Sequence, residues 1–310
     1  MKRTMLFLCI FLIVALACDI SVNLTPTTVV STPEDTAVLV EPATTTPEIF
    51  IALTQAIPFT QVPIATQNFE PSPINSVMAA YGHLTLEIPM SVASGLSGSD
   101  IAPITDADAA WYQKTPGHQQ ITLNGYQGLQ GKLNQAQIFI YPATDYAVLS
   151  AAAFESMHRL RNIISSVVPV TADNLPAIPF FNSKQLFASN FQSMPFQDGS
   201  GIRFLTQYDQ FSAPVNNQGL FYQFQGFSAD GELYTVAIFP ISAPGLSEVS
   251  DPASATAIGG VAYPNMSDPN ADWNGYYEAA ASLLEGTPPD AFSPSLLQLD
   301  AMIQSMWIAP

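Results

Sequence analysis

The chain has 310 residues, with 25 Asp or Glu against 8 Lys or Arg and a formal net charge of −17. Only 11% of residues are charged, where soluble domains average roughly 25%, so the acidity comes from missing bases rather than surplus acids. That balance argues against a nucleic-acid partner, because phosphate binding needs clustered Lys and Arg. An apolar fraction of 48% and 19 Phe leave material for a sizeable core.

Lys2 and Arg3 precede an unbroken apolar run from Met5 to Ala17. At 1.5 Å per residue the run covers about 20 Å, short of the roughly 30 Å hydrocarbon core, so residues 1–17 read as a secretory signal peptide rather than a membrane span. It ends in Ala15-Leu16-Ala17-Cys18. Here the sequence resembles a bacterial lipoprotein precursor, whose lipobox is a short apolar and small triplet followed by the cysteine that is acylated. Ala15 stands where Leu is commonest. The resemblance covers residues 1–18 and implies lipidation at Cys18, with the protein anchored to the cell membrane on its extracytoplasmic face. Cysteine usage points the same way. Cys9 lies in the segment to be removed, which leaves Cys18 as the one thiol of the mature chain, and an unpaired cysteine in an exported protein needs a reason. Two or three acyl chains give stable anchoring where one is marginal. An ordinary signal peptide with an incidental cysteine is the alternative.

Residues 18–76 read as a lipid-anchored, disordered stalk. Between 19 and 75 there are eleven Thr, eight Pro and no Lys or Arg. Proline removes backbone donors, and such a composition buries too little apolar surface to offset its ordering entropy. The apolar patch Ile49–Ile57 is the exception, suited to a transient helix or to docking on the domain.

From residue 77 to 310 the patterns are those of a globular α+β domain, with a split near Val168 as the alternative. His83 to Met90 alternates, placing Leu84, Leu86, Ile88 and Met90 on one side of a half-buried strand. Ile121–Tyr126 and Gln135–Tyr141 are further strands. Asp145 to Val167 is predicted as one long helix, on the spacing of Tyr146, Leu149, Ala153, Met157, Leu160 and Ile164, with Glu155 facing Arg159 and Thr144 or Asp145 as cap. Two hairpins follow, 185–196 with 201–208 and 219–228 with 232–241, each turning at an Asp-Gly pair. A Pro/Ser/Ala loop from 244 to 269 leads to two C-terminal helices. One is capped by Asp272, carries Trp273, Tyr277, Ala280 and Leu284, and stops at Gly286. The other is capped by Ser293, with Pro294 in its first turn and Leu296, Leu299, Ile303 and Met306 as its stripe. The expected fold is thus an antiparallel sheet with hairpins, packed by one long central helix and the two C-terminal helices.

Chemistry is sparse in this sequence. Phosphate-loop, zinc-protease, nucleophile-elbow and Ser-x-x-Lys patterns are all missing from it. The three histidines, His83, His118 and His158, show no metal-ligand spacing. Asp268, Asn270, Asp272 and Asn274 occupy the first, third, fifth and seventh positions of a Ca²⁺-loop-like run. Trp273 replaces the sharp-turn glycine, however, and position twelve is Ala279 rather than Glu. A turn followed by an Asp272 N-cap is the simpler reading, and calcium is the one cofactor the sequence suggests. Asp106 and Asp108 read as a helix-start cluster. Phe221 and Phe227 alternate with Tyr222 and Phe224, so large rings fall on both faces of one strand. A sheet covered on both sides would explain this, and an open face for a ligand is the alternative.

The sequence therefore leads to a membrane-tethered extracytoplasmic lipoprotein that acts as a non-enzymatic binding or interaction module, its protein or small-molecule partner unspecified. An envelope hydrolase using paired carboxylates among Glu87, Asp106, Asp108 and Glu232 is a second possibility. The solute-binding component of a transporter is a third.

Overall fold

The computed structural model describes residues 75–309, except Thr256. The signal peptide, Cys18, the stalk and the Ile49–Ile57 patch lie outside the described residues. The elements run β1 (Ser76–Tyr81), β2 (Leu84–Pro89), β3 (Gly95–Ile101), β4 (His118–Asn124), β5 (Gln137–Pro142), α1 (Ala143–Leu149) and α2 (Ala151–Ile164). After these come β6 (Lys184–Phe196), β7 (Gly199–Asp209), β8 (Phe221–Ser228), β9 (Leu233–Pro240), α3 (Trp273–Glu285), α4 (Leu296–Gln304) and β10 (Trp307–Ile308). The fold is α+β, with two antiparallel sheets. One has the order β1-β2-β10, the other β3-β4-β5-β9-β8-β7-β6. The pairing of β5 with β9 joins strands from both sides of Val168 in one sheet.

Alternation along the strands builds a core on each face of the seven-stranded sheet. In β9, Tyr234, Val236 and Ile238 meet Tyr146, Met157 and Leu160 from α1 and α2. Ala237 and Phe239 point the other way, toward Tyr276 and Leu284 of α3, Leu299 and Ile303 of α4, and Leu84, Leu86 and Ile88 of β2. The aromatic strand β8 is divided likewise. Phe221 and Phe227 lie in the first core and Tyr222 and Phe224 in the second, so neither face of that strand is open to a ligand. Its rings are core.

The helix expected over 145–167 is two helices. Ser150 takes an extended conformation (φ −132°, ψ 117°); its N–H closes α1 on the Tyr146 carbonyl, while its hydroxyl accepts from the Ala153 N–H to start α2. Serine competes for backbone partners in this way, and apolar spacing continues through the break without registering it. Neither Thr144 nor Asp145 caps α1, which begins at Ala143 with no side-chain cap. Glu155 and Arg159 do pair, at 2.8 Å. At the other end Asp272 caps α3 by accepting from the Gly275 N–H, and Gly286 closes it. The cap of α4 is Ser295 rather than Ser293. Ser293 is held instead in a two-way backbone bridge with Ser242 (2.8 and 3.0 Å). Met90, expected on the buried side of β2, is exposed just beyond the strand's end.

Candidate functional site

A groove of about 590 Å³ lies beside β6. Its floor is Leu186, Phe187, Ala188 and Phe191. One wall is a face of α3, on which Asn274, Tyr277, Glu278, Ala281, Ser282 and Glu285 recur at helical three- and four-residue steps. The Tyr277 ring is fixed there, because its hydroxyl accepts from the Ala213 N–H at 3.1 Å and donates to the Ala213 carbonyl at 3.2 Å. Burial pushes that hydroxyl's pKa up. The opposite wall is the short turn Ala172–Asn174, where Asp173 enters the lining. Arg159 holds this turn by donating to the Asp173 carbonyl, and the Asn174 amide ties it to Pro169 and Thr171. The groove's charged groups are thus Asp173, Glu278 and Glu285, with no Lys, Arg, His or Cys in the lining.

At the upper end of the groove β6 bulges between Ser189 and Gln192. Asn190 there has φ +52°, and its amide donates to the Leu284 carbonyl at 3.3 Å. The bulge is pinned from beneath by Arg203, which reaches the Asn190 carbonyl and the Gln192 side chain while forming a two-pronged pair with Asp300 of α4 (both contacts 3.0 Å). Tyr222 donates to the same carboxylate at 2.9 Å.

A smaller cavity of about 260 Å³ is lined by His83, His118, Asp100 and Gln119. Each imidazole has its Nδ1 at a backbone carbonyl, His83 at Ala309 (2.8 Å) and His118 at Pro116 (2.9 Å). A carbonyl only accepts, so Nδ1 is the donating nitrogen of each ring. Burial lowers the His118 pKa, and the ring lies 4.5 Å from that of Tyr141. Gln119 sits between the two sides, accepting from the His83 N–H at 3.0 Å and approaching Asp100 at 3.4 Å. It occupies space that only glycine leaves at position 82, where φ is +55° and a Cβ would fall 2.1 Å from its amide nitrogen. Chain spacing separates these two histidines by 35 positions, yet the fold brings them together. His158 stays apart, exposed and stacked on Phe154.

Lys132 has the most displaced basic group. Burial pushes its pKa down to about 8, opposed by Glu248. Its ammonium donates to the Asn217 and Ile241 carbonyls and to the Ser242 hydroxyl, so its three hydrogens are all engaged and it joins three loops. Lys132→Met is expected to cost about 1–2 kcal/mol, since the acceptors lose their partner in a partly solvated site. Between pH 8 and 10.5 the unfolded chain holds this proton more tightly than the folded one, so the lysine's contribution to stability rises with pH. Below pH 8 the desolvation cost is present in full. Melting temperatures of wild type and Lys132→Met should therefore diverge on going from pH 7 to 10; a constant gap would contradict this account.

The residues singled out from sequence fall elsewhere. Asp268 accepts from the Asn270 N–H and Asp272 from the Gly275 N–H, each at 2.9 Å, which is turn and cap geometry; Asn274 lines the groove. Among the described residues no group of three His, Cys, Asp or Glu is placed to hold a metal ion. Asp106 and Asp108 are exposed and precede only the single turn Trp111–Gln113, so they do not start a longer helix. Glu87 accepts from the Ser76 hydroxyl on β1, and Glu232 is exposed at the β8–β9 turn. None of these four carboxylates lines the groove or the two-histidine cavity.

Fold and cavities together define an α+β protein whose seven-stranded antiparallel sheet is covered on one face by α1 and α2 and on the other by α3, α4 and the three-stranded sheet, with a groove beside β6. No protein-family model matches the chain, nor does any curated protein or solved structure.

Proposed function

We propose that the protein is a membrane-tethered, extracytoplasmic lipoprotein that serves as a non-enzymatic binding module. The acylated Cys18 holds it to the bilayer, residues 18–76 space it from the surface, and the domain from 77 onward presents the groove beside β6. The observation that carries the binding reading is the groove's lining. It joins an apolar floor to three solvent-exposed carboxylates. A largely preformed concavity of this size with a few polar groups suits recognition.

The hydrolase alternative draws less support. Acid–base work by carboxylates rests on a desolvated member of a pair in one cleft, whereas Asp173, Glu278 and Glu285 are all exposed. A transporter's solute-binding component would be favoured by alternating strand–helix units in two lobes, and the antiparallel strand order lends that reading nothing. Among the described residues no helix is long and apolar enough to cross a membrane.

Metabolic labelling with a fatty-acid analogue tests the anchor. Wild type should carry the label and fractionate with membranes, while Cys18→Ser should lose both properties. Equal labelling of the two proteins would overturn lipidation at this cysteine.

A further inference from the structure

We infer that a cavity at one end of the seven-stranded sheet, between the start of β6 and the end of β7, binds a neutral oligosaccharide. This site is separate from the groove beside β6, and it goes beyond the binding-module reading by naming a ligand class. Its walls come from the segments that lead into β5, β6 and β8 and out of β7, which antiparallel pairing brings to one end of the sheet. Loops gathered at the end of a rigid scaffold are a common setting for recognition. The cavity measures about 470 Å³, within the roughly 300–1,000 Å³ of small-molecule sites.

The first ground is a fixed aromatic wall. Phe180, Phe181 and Tyr208 line the cavity and are half-buried. Phe180 leans on the buried Phe139, with ring centroids 4.8 Å apart, while Phe181 meets Tyr208 edge-on at 5.2 Å and Phe221 at 6.2 Å. The Tyr208 hydroxyl accepts from the Ile178 N–H at 3.1 Å. These rings are continuous with the core, so a ligand meets them already ordered and little side-chain entropy is lost on binding. The electron-rich face of an aromatic ring attracts the C–H groups on the face of a sugar ring. The second ground is unused polar capacity around those rings. Among the described residues the side chains of Asn134, Asn182, Ser183 and Gln210 have no hydrogen-bond partner. Asn and Gln present donor and acceptor side by side, and Ser does both from one atom. A sugar hydroxyl is also both, so a ring carrying several of them answers each group, whereas an apolar ligand would cover these groups and leave them unsatisfied. The third ground is charge. Asp209 is the one carboxylate in the lining, with no Lys, Arg or His beside it there. Its Oδ1 accepts from the Phe211 N–H at 3.3 Å, which leaves Oδ2 to accept from a hydroxyl. In a chain of net charge −17, a cavity without a cation repels phosphate, sulfate or carboxylate ligands. Together these features select a neutral polyhydroxylated ring over anionic or apolar molecules.

The test uses the full-length protein in a detergent without a sugar headgroup. Cellohexaose, maltohexaose, xylohexaose and chitohexaose are titrated calorimetrically, with hexagalacturonate as the anionic control. At least one neutral chain should bind with a Kd below about 1 mM, unaffected by added salt, and hexagalacturonate should not bind. Saturation transfer from the protein's aromatic protons should be strongest at the C–H protons of the bound sugar. Asn182 and Gln210 are exposed and unbonded, so Asn182→Ala/Gln210→Ala takes no hydrogen bond from the fold and should weaken binding about tenfold or more. Glu278→Gln/Glu285→Gln, in the groove beside β6, should leave sugar binding unchanged. Preference for hexagalacturonate, or binding that salt weakens, would overturn the neutral class. Indifference to the Asn182/Gln210 substitutions, or a loss caused by the Glu278/Glu285 pair, would overturn this cavity as the site. Failure of all four neutral chains to bind would reject the proposal. None of these results alters the labelling of Cys18, so failure of the ligand class and failure of the tethered reading remain distinct.

Discussion

Asp300→Ala should lower the stability of the domain by about 3–5 kcal/mol, the range found when one partner of a buried ion pair is removed. The side chains of Arg203 and Asp300 are only 7% and 13% exposed. Once the carboxylate is gone, the guanidinium remains enclosed with only the Asn190 carbonyl and Gln192 for company, and the Tyr222 hydroxyl loses its acceptor. The loss should be felt at a distance from Asp300 itself. Arg203 is the residue through which β7 supports both α4 and the β6 bulge, so loosening of the bulge should accompany the lower denaturant midpoint. The pair need not be worth its cost in the intact fold. Replacing both partners by apolar residues, as in Arg203→Met/Asp300→Leu, should recover much of the loss, because no buried charge is left behind. A double variant as unstable as Asp300→Ala would show that the damage comes from packing, not from an abandoned charge.

Phe224→Ala is expected to cost a similar amount, about 3–5 kcal/mol, through the cavity it opens. Phe224 is fully buried and meets the Phe196 ring edge-on at 5.9 Å. Two facing glycines make room for it. Gly201 and Gly226 are partners across β7 and β8, and a Cβ on either would come within 2.7 Å of the Phe224 ring. The ring therefore fills a recess that has no side chains of its own, and removing it leaves backbone that cannot collapse inward. Urea or thermal unfolding measures the effect, with Phe224→Leu expected to lose less. A loss below about 1 kcal/mol would mean that the site repacks freely.

Part of this architecture is legible in the residues themselves. Helix α3 is the clearest instance, since Asp272, the Tyr277-Ala280-Leu284 stripe and Gly286 each declare one feature of it. The β6–β7 and β8–β9 hairpins are equally plain, through their Asp-Gly turns. β3 leaves no such trace. Gly95-Leu96-Ser97-Gly98-Ser99 carries almost no apolar alternation, because this edge strand is held by β4 and needs Gly98 to admit the Tyr81 ring. The break at Ser150 is silent for a different reason, as hydrophobic spacing reports which face is buried and not whether the axis is continuous. The candidate site is less legible still. Phe187 and Glu278 are ninety-one positions apart, and His83 and His118 are joined only by tertiary folding, so local spacing holds no record of either meeting. One local signal was present: Arg203 interrupts the apolar run Ile202-Arg203-Phe204-Leu205 of β7, and a cation at such a position implies a buried counter-charge.

The small sheet has a mechanical consequence. β2 is gripped on one side by β10, where the Ala309 N–H also donates to the His83 carbonyl, and on the other by β1. Ser76 pairs with Pro89 at the open end of the β1–β2 hairpin, and Tyr81 pairs with Leu84 at its closed end. Tension arriving along the chain at Ser76 therefore loads those bonds one after another, like a zip, rather than all at once. β1 would peel away first and lengthen the connection by about 20 Å at strand spacing, drawing Val77, Ala79 and Tyr81 off the core they pack against while β2 and β10 stay paired. A domain tugged from its amino-terminal side thus carries its own slack.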